Sequence, residues 1–410
     1  MRASIFLLVP LILLSGCESA DRVLTNTERV LGSRTGRTVL DIATGKDPKQ
    51  ILKERVDVYQ RDPEAVLRDL RTIQRDFNTI MTALTGKVRQ TWGEKEVKVP
   101  EQKKYVKYTQ NYMSRTIVDF DNGTIVVETL DDKSPKESLK NAIVTTLLTP
   151  DDPRSVDLFS DKPVTLTSDH SPYLLGLVLD QEGQPIRTPA QAEAFAASSL
   201  ESAKGRPVDQ NGVTKQALIT EIKMVANFSN KQADKYRATV TRFAEQFKVS
   251  PSLIFAVIRT ESNFNPFAVS SAPAFGLMQL VPTSGGRDAY RKAKGKDTIP
   301  SREYLFDPEN NIELGSAYLN VLSYNQLEQV DNEVSREYCV ISAYNTGAGN
   351  VFKAFATNST SAINQINSLE PPAVYDRLRT NLPYQETRDY LVKVVGFRKQ
   401  FISPADAPGR

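Results

Sequence analysis

Apolar and polar positions follow several rhythms along the chain, and each change of rhythm marks a boundary. Ile5 to Leu14 is an apolar run behind the positive charge of Arg2, whereas residues 18 to about 45 are polar and carry no sustained apolar period. From Leu52 to Leu84, residues including Val56, Tyr59, Val66, Leu70, Ile73, Phe77, Ile80 and Met81 recur at largely helical spacing. An interruption near Asp62-Pro63 makes this two predicted amphipathic helices. The period then shortens to two. Tyr105 to Tyr108, Ser114 to Phe120 and Thr124 to Leu130 read as strands, the last two joined through Asp121-Asn122-Gly123, a short hairpin signal. Pro135 to Leu148 returns to helical period, Tyr173 to Leu179 is a candidate strand, Pro189 to Ser202 a helix, and Val213 to Ala226 a long alternating strand.

From about Lys231 onward no convincing period-two run occurs. Tyr236, Val240, Phe243 and Phe247 form one helical stripe. Ser250-Pro251 opens the next helix as N-cap and first helical residue, with Leu253, Ile254, Val257 and Ile258 on its buried face. The pattern predicts an α+β domain over residues 46–228 and an all-α domain over residues 229–405.

Composition narrows the chemistry. At 410 residues and 40% hydrophobic, the chain is long enough for more than one packed core. Its 52 basic and 49 acidic residues leave a formal charge of +3, which argues against nucleic acid as a partner. One histidine, His170, and two cysteines cannot assemble the usual zinc sets or a Ser-His-Asp triad, so no metal or cofactor is expected and carboxylates are left to carry any catalysis. Cys339, within Tyr338-Cys339-Val340-Ile341, reads as a buried, unreactive thiol.

Leu14-Ser15-Gly16-Cys17 follows the apolar run at once, the pattern of a lipoprotein signal. Removal of residues 1–16 and a lipid on Cys17 would leave residues 17–45 as a tether to a membrane. The apolar run is about half of the roughly 20 residues that a spanning helix needs. An ordinary secretory peptide with a chance cysteine is the alternative. Glu18, where an aspartate would favour inner-membrane retention in the enterobacterial sorting rule, implies by resemblance an outer-membrane lipoprotein facing the periplasm.

Glu261 closes the helix begun at Pro251, four residues after Val257 and three after Ile258, so it lies at the rim of an apolar face. Desolvation there would raise its pKa and suit it to general acid catalysis, although a glutamate at a helix end is commonly a solvated or capping residue. The surrounding blocks decide between these readings. Glu261-Ser262-Asn263-Phe264-Asn265-Pro266, Ala268-Val269-Ser270 and Gly276-Leu277-Met278-Gln279-Leu280-Val281-Pro282 resemble the signature of the soluble lytic transglycosylase family, a relative of goose-type lysozyme. Leu305-Phe306-Asp307-Pro308 with Asn311-Ile312 and Gly315, Ala343-Tyr344-Asn345 with Gly347 and Gly349, and Glu386-Thr387-Arg388-Asp389-Tyr390 follow in the family's order. The lipobox, the α+β region and Gly286-Arg287-Asp288 extend the resemblance to membrane-bound members of the family. Pro273 stands where many relatives have glycine and Val281 where several have methionine, which touches the loop's shape and an apolar sugar contact but no catalytic group.

The resemblance implies a lysozyme-like fold for the all-α domain and peptidoglycan glycan strands as substrate. It implies non-hydrolytic cleavage between N-acetylmuramic acid and N-acetylglucosamine, with Glu261 as the single acid and base and the substrate's own C6 hydroxyl as attacking group. It places Ser270, Gly276, Gln279, Tyr344, Asn345 and Glu386 around the sugars. Most also have a plainer reading: a turn hydroxyl for Ser270, a simple turn for Gly276, a surface amide for Gln279, a core tyrosine with a satisfied hydroxyl for Tyr344, and an exposed ion pair with Arg388 or another base for Glu386. Two rival functions are a lysozyme-like hydrolase with Asp288 or Asp307 as second carboxylate, and a lipoprotein that grips peptidoglycan without cutting it.

Overall fold

A computed structural model of the protein describes residues 64–166, 170–270, 273–403 and 406, with side-chain surroundings defined from Gln74 onward. The signal segment, Cys17, the tether and the first of the two predicted helices lie outside the described residues.

The second predicted helix is α1, Glu64–Trp92, which runs past Leu84 because Leu84, Val88 and Trp92 continue the apolar stripe at intervals of four. Strands β1 (Lys104–Thr109), β2 (Ser114–Asp119) and β3 (Thr124–Thr129) follow as the alternation predicts. Helix α2 spans Pro135–Leu148, and α3 spans Pro189–Ser199, continued by a 3₁₀ turn over Leu200–Ser202. Strands β4 (Lys204–Gln210) and β5 (Val213–Lys223) complete an antiparallel sheet of order β1-β2-β3-β5-β4.

Two readings of the pattern need correction. Tyr173 to Leu179 is no strand: Tyr173, Leu174, Leu177 and Val178 are buried, a spacing that fits turns, and Gly176 takes a left-handed conformation at φ 75°. Strand β4 was invisible in the pattern because Lys204-Gly205-Arg206-Pro207 carries both a glycine and a proline. It tolerates Pro207 because it is an edge strand, and only Val208 within it is buried.

The sheet has two apolar faces. Leu84, Val88 and Trp92 of α1 cover Val106, Tyr108, Leu130, Val208 and Ala217 on one face. On the other, Val118, Ile125 and Val127 join Leu139, Ile143 and Leu147 of α2. At one end, Arg115 on β2 is buried under the Trp92 ring and pairs with Glu128 directly across on β3 and with Glu96, while Arg206 closes the square of charges. Removing one member of such a buried network typically costs about 3–5 kcal/mol.

The remainder is helical: α4 (Phe228–Lys235), α5 (Arg237–Phe247), α6 (Pro251–Glu261), α7 (Gly285–Lys294), α8 (Arg302–Phe306), α9 (Pro308–Val321), α10 (Glu333–Thr346), α11 (Ala348–Lys353), α12 (Ser359–Asn367), α13 (Pro371–Asn381) and α14 (Gln385–Arg398). Ser250 caps α6 as predicted, its hydroxyl accepting from the Leu253 N–H. Cys339 is a free, buried thiol, its pKa pushed up to about 12 by burial. All described residues belong to one compact unit, and a single apolar core runs from α2 and the sheet into the helices. Phe267 is the junction, its ring centroid 4.9 Å from that of Tyr105 on β1 and 5.1 Å from that of Tyr173. Among the described residues no helix is long and apolar enough to cross a membrane.

Candidate active site

Glu261 is the last residue of α6, and the chain behind it turns in an unusual way. Asn263 and Phe264 are consecutive non-glycine residues with positive φ, 46° and 63°. Left-handed backbone costs roughly 1–2 kcal/mol per ordinary residue, so such a turn persists only if its surroundings impose it. They do. Ser262 donates its hydroxyl to the Leu277 carbonyl at 2.8 Å, and Phe264 is wholly buried among Tyr236, Phe255 and Phe401. Asn263 donates its amide to the Phe120 carbonyl at 2.6 Å and to Asp121 at 3.2 Å, both at the β2–β3 hairpin. Asn265 accepts from the Phe267 N–H and donates to the Gln102 carbonyl at 3.0 Å, just before β1. The sheet therefore holds the turn that carries the glutamate.

A second turn faces the first. Phe275 and Leu280 exchange both backbone hydrogen bonds, each at 3.2 Å, and close a loop over residues 275–280. Asn311 on α9 pins it by accepting from the Met278 N–H and donating to the carbonyls of Phe275 and Leu305, all at 2.8 Å. The hydroxyl of Tyr344 on α10 donates to the Met278 carbonyl at 2.8 Å. Gly276, at φ 76°, has no room for a side chain, since a Cβ there would meet the Asn311 amide and the Leu305 carbonyl at 2.4 Å. The close approach that Gly276 permits includes one to Asn311 and Leu305 within the protein.

Around Glu261 the structure gathers Tyr344, Glu386 and two groups that sequence reasoning did not single out for the site, Tyr390 and Lys103. Glu261 is half-buried, and loss of water around its carboxyl raises its pKa from 4.5 to about 7. The Tyr390 hydroxyl, buried and with no other partner among the described residues, interacts with the carboxylate and opposes the rise. Glu386, exposed in the first turn of α14, adds to it by like-charge repulsion, and Lys103 before β1 opposes it. Lys103 is held by Asp121 at 3.3 Å. A carboxyl with a pKa near 7 is half protonated at neutral pH, so it can give a proton and, once ionised, take one. Tyr390 was legible only as part of a motif, and Lys103 carries no local signal because it reaches the site through the tertiary fold.

The other expected residues sort as follows. Gln279 is buried, which overturns the reading of a surface amide. It takes φ 47° and spends its amide hydrogens on the carbonyls of Ala268 and Gly276, leaving its buried Oε1 without a partner among the described residues. Ser270 is half-buried, its N–H bonded to the Ala274 carbonyl at 3.3 Å. Asn345, half-buried, accepts from Thr387 at 2.7 Å and so ties α10 to α14. Arg388 pairs with Gln385 and the Leu382 carbonyl, which removes the expected ion pair with Glu386. The two carboxylates weighed for a hydrolase are engaged elsewhere. Asp288 binds Arg291 at 2.6 Å, and Asp307 caps α9 through the Asn310 N–H and binds Arg154 at 3.0 Å. Among the described residues no cluster of ligands suited to a metal ion occurs.

A family model described as the N-terminal domain of membrane-bound lytic murein transglycosylase C matches residues 70–235, and one described as the transglycosylase SLT domain matches residues 239–367. The chain is 42% identical over 342 residues to the membrane-bound lytic murein transglycosylase C of Yersinia enterocolitica, covering 83% of this chain and 93% of that protein. It is 42% identical over 325 residues to the protein of the same name from Shigella sonnei, covering 79% and 89%. A solved lytic transglycosylase, Slt of Pseudomonas aeruginosa, shares 28% identity over 42% of this chain and 26% of its own, with a TM-score of 0.32.

Proposed function

The chain belongs to the membrane-bound lytic murein transglycosylase C family, and we propose that it cleaves peptidoglycan glycan strands between N-acetylmuramic acid and N-acetylglucosamine without consuming water. The observation that carries this reading is a single half-buried carboxyl with a pKa near 7, Glu261, while Asp288 and Asp307 are occupied by arginines.

In the first step the protonated Glu261 donates to the bridging oxygen as the glycosidic bond breaks and positive charge develops at the muramyl C1. The resulting carboxylate then takes the proton of the muramyl C6 hydroxyl as that oxygen bonds to C1. A 1,6-anhydro ring forms, and Glu261 returns to its protonated state. The attack is intramolecular, which supplies a high effective concentration and removes the need for a second carboxylate to position water. Desolvation keeps Glu261 protonated at the start of the cycle and favours its taking the C6 hydroxyl proton in the second step, whereas Tyr390 and Lys103 favour the carboxylate formed by the first step. Ser270, Gly276, Gln279, Tyr344, Asn345 and Glu386 are proposed to line the sugar sites. For Gln279 the available group is its unpartnered Oε1, an acceptor for a sugar N–H or O–H.

The same proposal includes lipid attachment at Cys17 after loss of residues 1–16, a tether over 17–45, an outer-membrane location facing the periplasm, and the division into α+β and catalytic domains at residues 228 and 229. A test of the chemistry is digestion in water enriched in heavy oxygen. The lytic reaction leaves the new muramyl ends unlabelled, and one heavy oxygen per cleavage would establish a hydrolase instead.

A further inference from the structure

Away from Glu261 the structure holds a cavity of about 650 Å³ that the proposed reaction does not use. It lies between the segment around Asp151, the segment around Tyr173, the helices α4 and α5, and the start of α9. None of the residues expected to contact sugar lines it. Of the turn that follows Glu261 it touches Pro266, five residues on.

Its polar groups are unevenly matched. Arg154 is neutralised by Asp152 at 2.8 Å and Asp307 at 3.0 Å, and Glu309 by Arg242 at 2.6 Å. Two charges remain without an ordinary ion-pair partner among the described residues. Lys235 donates to the Tyr173 carbonyl at 2.6 Å and lies within electrostatic reach of Asp151 without pairing with it, and Asp151 has the His170 ring at 3.6 Å. Gln232, on α4, is a lining residue only 2% exposed, and its amide nitrogen has no hydrogen-bond partner among the described residues. A buried donor left unmet costs stability and is retained where something else meets it. Gln232 and Lys235 are three residues apart on α4 and so share a face.

We infer that this cavity is a binding site for a peptide that carries both a carboxylate or carbonyl and a free ammonium group. Gln232 and Lys235 take the acceptor end and Asp151 the ammonium. Granting the proposed substrate, such a peptide is present wherever the enzyme cuts, as the stem attached to the muramyl sugar. The site would then recognise peptide-bearing glycan at a distance from the scissile bond, and Pro266 would link its occupancy to the turn behind Glu261.

The test uses the full chain with Glu261→Gln, so that no turnover occurs, and measures calorimetric binding of three probes. These are a disaccharide bearing a tetrapeptide stem, the same disaccharide stripped of peptide by an amidase, and the free tetrapeptide. Adding Gln232→Leu is expected to weaken the two peptide-containing probes by about tenfold or more and leave the bare disaccharide unchanged. The same substitution removes an unmet donor, so Tm is expected to hold or rise. Asp151→Asn should weaken the free tetrapeptide and have less effect on a tetrapeptide whose amines are acetylated. Unchanged peptide binding in Gln232→Leu at an unchanged Tm would overturn the inference. A fall in Tm together with equal loss of all three probes would reduce Gln232 to a structural residue and overturn it as well. Failure of the proposed reaction is read separately, from digestion by the chain with Glu261 intact. Retention of free-tetrapeptide binding in that event would still support the site.

Discussion

Replacing Glu261 by glutamine should make the protein more stable, and increasingly so as pH rises. Burial that raises the carboxyl from 4.5 to about 7 means that the folded chain holds the proton more tightly than the unfolded one. The stability linked to that proton is fully present below pH 4.5 and is lost as pH rises through about 7, where the half-buried carboxylate must be carried ionised. At about 1.4 kcal/mol per tenfold in proton affinity, the whole displacement is worth roughly 3 kcal/mol. Most of it falls between pH 5 and pH 8, and the partial exposure of the side chain reduces the expected change in that interval to about 2 kcal/mol. Glutamine copies the neutral acid at every pH. The stability of Glu261→Gln minus that of the native chain, from urea unfolding at each pH, should therefore grow by about 2 kcal/mol between pH 5 and pH 8, or roughly 3 °C in Tm for a unit of this size. Titrating groups remote from Glu261 cancel in the difference. A gap that is the same at both pH values, or that shrinks, would refute the raised pKa and with it the role of Glu261 as an acid at neutral pH.

Other outcomes follow from the same geometry. The alkaline limb of the kcat/KM profile should move to lower pH in Glu386→Gln and to higher pH in Lys103→Met, because the first loses a like charge beside Glu261 and the second an opposite one. Shifts in one common direction would count against these placements. Asn263→Ala loses hydrogen bonds to Phe120 and Asp121 and a side chain that tolerates left-handed backbone, so chemical denaturation should show a loss of about 2 kcal/mol, with kcat falling more than KM rises. Gly276→Ala drives a methyl into Asn311 and Leu305 and should cost roughly 1–3 kcal/mol while impairing turnover, measured on the same samples.

Much of the architecture was legible because local rules and tertiary structure agree. Pro135 to Leu148, the Ser250-Pro251 cap and the three strands before α2 were readable from period and punctuation alone. Strand β4 was not, because an edge strand needs neither a full apolar face nor freedom from proline. Tyr173 to Leu179 misled because four buried apolar side chains in seven residues can be supplied by turns as well as by a strand. At the site, Glu261 was visible from its helix face and its motif, whereas the groups that tune it were hidden for different reasons. Lys103 lies 158 positions earlier in the chain and reaches Glu261 only because Asn263 and Asn265 dock the catalytic turn onto the hairpin and the start of β1. Gly276 and Gln279 were recognisable as motif residues, but the contacts that occupy them, to Asn311 and to the loop's own carbonyls, depend on how α9 packs.

The most direct test of the account is the mass of the muropeptides released from purified peptidoglycan by the native chain and by Glu261→Gln. Native products one water lighter than their hydrolytic counterparts, and absent with the variant, are the predicted result. Reducing-end products of full mass, or lighter products that persist without the Glu261 carboxyl, would contradict it.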